Sequence, residues 1–278
     1  TASGVFKLGE VTNLIKDSKW PTPGPQGYQS ANSCRFNSGS SDYLSKTGAT
    51  ATDRRKFTIS FWVKKSLLNT SMYFYETYNN ANPTNDRFFL AVNTSDYFRV
   101  INFNGGTADC EIVTNRVLRD PSAWYHIVVA IDTTQGTASN RVRIYINGVE
   151  ETSFSTNNTF SLNAYPESQS SAYPTNIGRY NQGAAYFGGY LSEYVFIDGQ
   201  QLDPTSFGEF NSQTGIWVPK VVTGLTFGNN GYYLPFTNSG ALGEDFSGED
   251  NDFTVNNLTS LDQSTDTCST NFATINPL

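Results

Sequence analysis

One histidine, three cysteines and a single methionine are all that this 278-residue chain offers of the residues that most often hold metals or carry redox chemistry. His126 cannot build a zinc site alone, and a Ser-His-Asp triad would have to use it although no Gly-x-Ser-x-Gly turn is present. Cys34, Cys110 and Cys268 are odd in number and widely spaced. That spacing gives neither a disulfide framework nor a metal knuckle, and favours free thiols folded in a reducing cytoplasm. Charge is scarce too, at 15% of residues with a net charge of −7. No basic cluster is longer than Arg54-Arg55-Lys56, so the basic stripe that nucleic acid requires is missing. No apolar run approaches the length of a membrane-spanning helix, so no membrane insertion is expected. The opening TASGVFKLGEVTNLIKDSKW lacks a long apolar core, and no secretory leader is expected there. Glycine-rich stretches such as Asn229-Asn230-Gly231 have no phosphate-loop pattern and read as turns.

What the chain has in quantity is aromatic residues, at 14%, among many Asn, Ser, Thr and Gly. This composition favours strands and tight turns. In FTISFWVKK, Phe57, Ile59, Phe61 and Val63 share one face, and Thr58, Ser60, Trp62 and Lys64 the other. Residues 72–78, 87–92, 97–103 and 108–114 are further strand candidates. WYHIVVAID, at 124–132, is apolar on both faces and should be central, with His126 as a core residue. Residues 141–146 and 149–154 read as a hairpin around Asn147-Gly148. Residues 176–179 and 190–197 close the clear strands. LDPTSFGEF reads as one short helix, capped by Asp203 with Pro204 at its first position. The expected fold is all-β, an antiparallel two-sheet jelly-roll sandwich over residues 34–210. An extended N-terminal docking arm is expected at 1–33. The segment 211–278 carries a strand near 232–236 and an extended tail.

Five pieces carry a resemblance when taken in order: CRFNSGSSDYLS, FTISFWVKKS, WYHIVVAID, VRIYINGVE and IGR…FGGYLSEYVFIDGQQLDPTSF. Together they resemble the laminin-G-like branch of the concanavalin-A-like jelly rolls. The resemblance implies a fold shared by lectins, glycanases and structural modules, and so implies no single function. YYLPFTNSGALGEDFSGEDNDFTVNN looks like the family's opening hairpin, displaced to the far end of the chain. Either the strand order is permuted, so that residues 232–236 pair beside the strands near Cys34, or a second module begins and is cut short. The first is preferred, because a truncated module could not bury its own face. GVFKLGEV and the tail DNDFTVNNLTS…TNFATINPL are similar to structural proteins of tailed bacteriophages. That likeness implies other virion proteins and copies of the same chain as partners, and a virion assembled in the host cytoplasm.

The candidate chemistry is sparse. Glycanases of this fold carry two carboxylates on one strand face, and no Glu-x-Asp-x-Glu run exists here. No catalytic residue is therefore expected. Tyr180, Tyr186 and Phe187 flank a glycine-rich loop and are the candidate rings for stacking on a host-surface glycan. Asp245, Asp250 and Asp252 form the one candidate ion site, for Ca2+, in an otherwise cofactor-free chain. Val5, Phe6, Leu8, Val11, Leu14 and Trp20 would anchor the arm in an assembly. The function expected is a non-enzymatic virion protein, a tail or fibre adhesin that contacts the host surface. The alternatives are a capsid decoration protein docked by its arm and tail, or a free carbohydrate-binding lectin.

Overall fold

The computed structural model describes residues 27–171, 173–181, 185–212 and 214–270. The six apolar residues expected to anchor the arm lie outside them. In chain order the first strands are β1 (Ser33–Phe36), β2 (Tyr43–Thr47), β3 (Lys56–Lys65), β4 (Met72–Tyr78), β5 (Arg87–Val92) and β6 (Tyr97–Asn104). Then come β7 (Thr107–Val117), β8 (Tyr125–Asp132), β9 (Val142–Ile146), β10 (Val149–Glu150), β11 (Phe154–Asn158) and β12 (Pro174–Ile177). Last are β13 (Gly189–Asp198), β14 (Gly208–Phe210), β15 (Trp217–Pro219), β16 (Tyr232–Leu234), β17 (Thr254–Asn256) and β18 (Gln263–Ser264).

These strands build an antiparallel two-sheet sandwich. The first sheet runs β10-β9-β8-β3-β13-β1-β18, and the second β11-β7-β6-β5-β4-β12-β2-β17. Along one edge of β13, β1 pairs with Gly189–Leu191 and β16 with Tyr194–Phe196. β17 pairs with β2, and β18 with β1, so residues beyond 230 add strands to both sheets. β14 and β15 form a separate hairpin.

Period-two patterning explains the layers. Phe57, Ile59, Phe61 and Val63 of β3 enter the core between the sheets, beside Ile127, Val129 and Ile131 of β8. The opposite residues of β3 and β8 are buried as well. Val128 and Ala130 pack with Phe207 and Phe227, while Trp62 and Trp124 pack with Trp217 and Cys268. The outer face of the first sheet is thus covered by the chain that follows β13. His126 is fully buried there, its ring stacked on Trp62 at 4.7 Å and on Trp217 at 5.9 Å. Trp217 Nε1 donates to His126 Nδ1 at 2.9 Å, which leaves the imidazole proton on Nε2 to be donated to Ser60 Oγ at 2.9 Å. Burial pushes the His126 pKa down to about 3, so the ring is a neutral structural group.

Two local expectations change. The strand after Asn147-Gly148 ends at Glu150, and Phe154 belongs to the opposite sheet, beside β7. Contacts to β7 hold the crossing: Arg116 Nε donates to Glu151 Oε1 at 2.6 Å, and Asn115 N to Ser153 O at 3.1 Å. The helix expected over LDPTSFGEF is a single 3-10 turn, Pro204–Ser206, with the Asp203 side chain accepting from Thr205 N. It stops because Gly208 joins β14 and lies flat on the Trp217 ring.

The turn itself has Asn147 at φ 51° and Gly148 at φ 76°, the left-handed pair of a tight hairpin. A Cβ on Gly148 would stand 2.3 Å from Trp217 Cε3. Gly148→Val is therefore expected to lower stability by at least about 2 kcal/mol, from backbone strain and displacement of the indole. Urea unfolding checks this, and an unchanged midpoint would refute the packing described.

Candidate ligand-binding face

The outer face of the second sheet is built differently from that of the first. In β5, Phe88, Leu90 and Val92 enter the core, which leaves Arg87, Phe89 and Ala91 outside. In β6, Phe98 and Val100 enter the core, which leaves Arg99, Ile101 and Phe103 outside. In β4 the alternation breaks. Phe74 and Tyr75 both enter the core, at a bulge where the pairing to β5 slips between Tyr73 and Tyr75. The bulge turns Glu76 outward, opposite Phe89 of β5 and Asn176 of β12. Strict alternation from Met72 would have put Glu76 inside, which is why the sequence reading missed it.

Residues after β12 lie against this face. Tyr180 stacks on Tyr73 with ring centroids 5.0 Å apart, and its hydroxyl accepts from Arg87 Nη1 at 2.7 Å. The Arg87 guanidinium stands over Phe89, Phe103 and Tyr180 at 5.2, 4.7 and 5.2 Å from the ring centroids. Arg99 stands over Phe89 at 5.6 Å, and Arg179 over Tyr43 at 4.0 Å. These contacts fix planar cations on aromatic faces. Tyr43, Phe103, Tyr180 and Tyr186 are half-buried, so the rings are in part open to solvent.

Glu76 is fully buried beneath this layer. Its Oε2 accepts from Asn181 N at 2.6 Å, while Oε1 has no partner among the described residues. Burial pushes its pKa up to about 8, against the pull of the Asn181 N–H and of the Arg87 and Arg179 guanidiniums. Other buried polar atoms of this face have no partner among the described residues: Asn176 Nδ2, Asn181 Oδ1 and the Nε atoms of Arg87, Arg99 and Arg179. Such atoms are costly in a finished core unless something else pairs with them.

The residues singled out from sequence divide here. Tyr180 and Tyr186 lie on this face, Tyr186 with its ring 6.3 Å from that of Tyr43. Phe187 does not: it is fully buried against Phe36 and Phe74, because its N–H donates to Gly178 O and turns it into the core. Asp245, Asp250 and Asp252 do not make an ion cage. Asp245 spends its oxygens on the N–H groups of Tyr233, Ser247 and Asn251 and on the Ser247 hydroxyl. Asp252 Oδ1 accepts from Asp245 N, so the acidic loop is a hydrogen-bonded turn. Among the described residues no three His, Cys, Asp or Glu side chains converge as metal ligands. A depression of about 210 Å³ between Arg35–Ser38 and Gly188–Tyr190 is a weaker candidate. Its one arginine, Arg35, is already paired with Asp262 at 2.8 Å.

The chain belongs to the Concanavalin A-like lectin/glucanases superfamily, whose model matches residues 38–202, more than half of its length. No curated protein sequence matches it. Among solved structures it is similar to a "putative carbohydrate binding protein" from Bacteroides ovatus, with 16% identity and a TM-score of 0.54 over 83% of this chain and 61% of that one. It is also similar to a heptameric SAP-like pentraxin from Limulus polyphemus, with 16% identity, a TM-score of 0.42 and 63% and 74% covered. The LG4-5 domains of the mouse laminin alpha1 chain give 14% identity, a TM-score of 0.43 and 66% and 45% covered. At these identities the likeness is one of fold. The chain spans about three fifths of the Bacteroides protein's length and under half of the laminin fragment's.

Proposed function

We propose that this chain is a non-catalytic, lectin-like module that binds carbohydrate on the outer face of its second sheet. The carrying observation is the set of half-buried rings, Tyr43, Phe103, Tyr180 and Tyr186, with the half-buried guanidiniums of Arg87, Arg99 and Arg179 held against rings of this face. A saccharide presents hydroxyls to such cations and apolar ring faces to aromatic side chains. The register argues against hydrolysis. The outward carboxylate in line with Glu76 is Glu111, reached through Phe89 and Ile101, three strand spacings away. At about 4.8 Å per spacing the two stand roughly 14 Å apart, beyond the separations used by retaining or inverting glycosidases.

Placement on a phage virion, as a tail or fibre adhesin or a shell decoration, is the finer form of this proposal. It is supported by the likeness of the terminal segments to phage structural proteins, and the family match does not reach those segments.

Binding to a panel of immobilised neutral and acidic oligosaccharides tests the reading. Wild-type protein is expected to be retained by at least one of them. Tyr180→Ala, which removes the ring stacked on Tyr73, is expected to weaken that binding about tenfold. Absence of retention across the panel at millimolar ligand, or full binding by Tyr180→Ala, would contradict it.

A further inference from the structure

The arginines of this chain sort into three groups. Arg35, Arg54, Arg55, Arg116, Arg119 and Arg143 each stand within ion-pair distance of a carboxylate. Arg141 donates to the main-chain carbonyls of Gln135, Gly136 and Phe160. The three that remain, Arg87, Arg99 and Arg179, have no carboxylate partner among the described residues, and all three stand on the face around Glu76. In a chain of net charge −7, unneutralised guanidiniums gathered on one face are not a general surface property. They are planar donors already held against rings, so little freedom is lost when they engage a ligand oxyanion.

We propose that this face binds an anionic saccharide, one bearing carboxylate or sulfate groups, with Arg87, Arg99 and Arg179 as its counter-charges. The proposal rests on the reading of the face as carbohydrate-binding and adds the charge class of the ligand. Glu76 fits that role as the group beneath the cations. Arg87 on β5 and Arg179 after β12 act on it directly, and Arg87, Arg99 on β6 and Tyr180 stand beside Tyr73 on its own strand. At neutral pH it holds its proton, so it does not repel an anion.

Calorimetric titration of the full chain separates the outcomes. The probes are oligogalacturonate as the carboxylate source, dextran sulfate as the sulfate source, neutral dextran, and double-stranded DNA. Binding of oligogalacturonate or dextran sulfate, but not of dextran or DNA, is expected. The affinity should fall about tenfold between low and high salt. Arg87→Ala and Arg179→Ala should each weaken it at least about tenfold, with Arg87→Lys intermediate because it keeps the charge without the fork. Arg143→Ala, in the first sheet, should bind as wild type. Should either alanine variant lose its native circular dichroism, Arg99→Gln replaces it with the same expectation. Binding of neutral dextran alone, or Arg variants of undiminished affinity, overturns the anionic assignment and leaves the carbohydrate reading standing. Equal binding of DNA overturns it as charge attraction only. No binding of any saccharide overturns both.

Discussion

Replacing Glu76 with glutamine is expected to make the protein more stable at pH 9 and to leave its stability almost unchanged at pH 4. The unfolded chain releases the Glu76 proton near its ordinary value of 4.5, whereas in the folded chain the group holds it up to about 8. The folded state therefore binds more protons than the unfolded state across that window. Its contribution is complete below pH 4.5, declines as pH rises through the window, and levels off above 8. Glutamine has no proton to lose, and its oxygen still accepts from Asn181 N. After allowance for the nearby guanidiniums, the gain at pH 9 should be on the order of 3 kcal/mol. Urea unfolding of both proteins at pH 4, 7 and 9 reads it. A variant less stable than wild type at pH 9 would mean that Arg87 and Arg179 already stabilise an ionised carboxylate, and would contradict the account of Glu76. A residue that weakens the fold at neutral pH is what a ligand site retains and a structural face would lose.

Asp96→Asn is expected to cost about 3 kcal/mol at neutral pH by removing the charge opposite a buried ammonium. Lys65 Nζ donates to Asp96 Oδ1 and to Leu118 O, both at 2.7 Å, and both side chains of the pair are almost completely buried. Asp96 also accepts from Asn69 N, and it sits at φ 62°, which asparagine tolerates, so backbone strain does not confuse the comparison. Burial pushes the Lys65 pKa down and the carboxylate holds it up, so in the variant the ammonium is left to deprotonate. Adding Lys65→Met should recover much of the loss, because the uncompensated charge is then gone. A loss below about 1 kcal/mol for Asp96→Asn would show that water reaches this pair.

Much of this fold was legible because two-residue alternation survives wherever one face of a strand meets the core. The β3 and β8 patterns led directly to the sandwich, and the apolar flanks of His126 to its place inside it. The continuation past Asn147-Gly148 was less legible, since long-range contacts of Arg116 with Glu151 and of Asn115 with Ser153 take the chain to the other sheet. The site was hidden for a related reason. Glu76 reads as a core position until the bulge at Tyr73 and Tyr75 is known, and a bulge leaves no period of its own in the sequence. Phe187 and the Asp245 loop misled in the opposite sense. An aromatic beside glycines and a cluster of carboxylates both look unsatisfied in sequence, whereas main-chain N–H groups and core rings satisfy them in the fold.

The central claim is that ligand binds over Glu76 on the second sheet. Amide shift mapping of the isotope-labelled chain, titrated with an acidic oligosaccharide, tests it most directly. The account predicts saturable shifts along Tyr73–Tyr78, at Arg87 and Arg99, and through Arg179, Tyr180 and Asn181. Shifts confined to the depression beside Arg35 and Tyr190, or to the Asp245 turn, would contradict it.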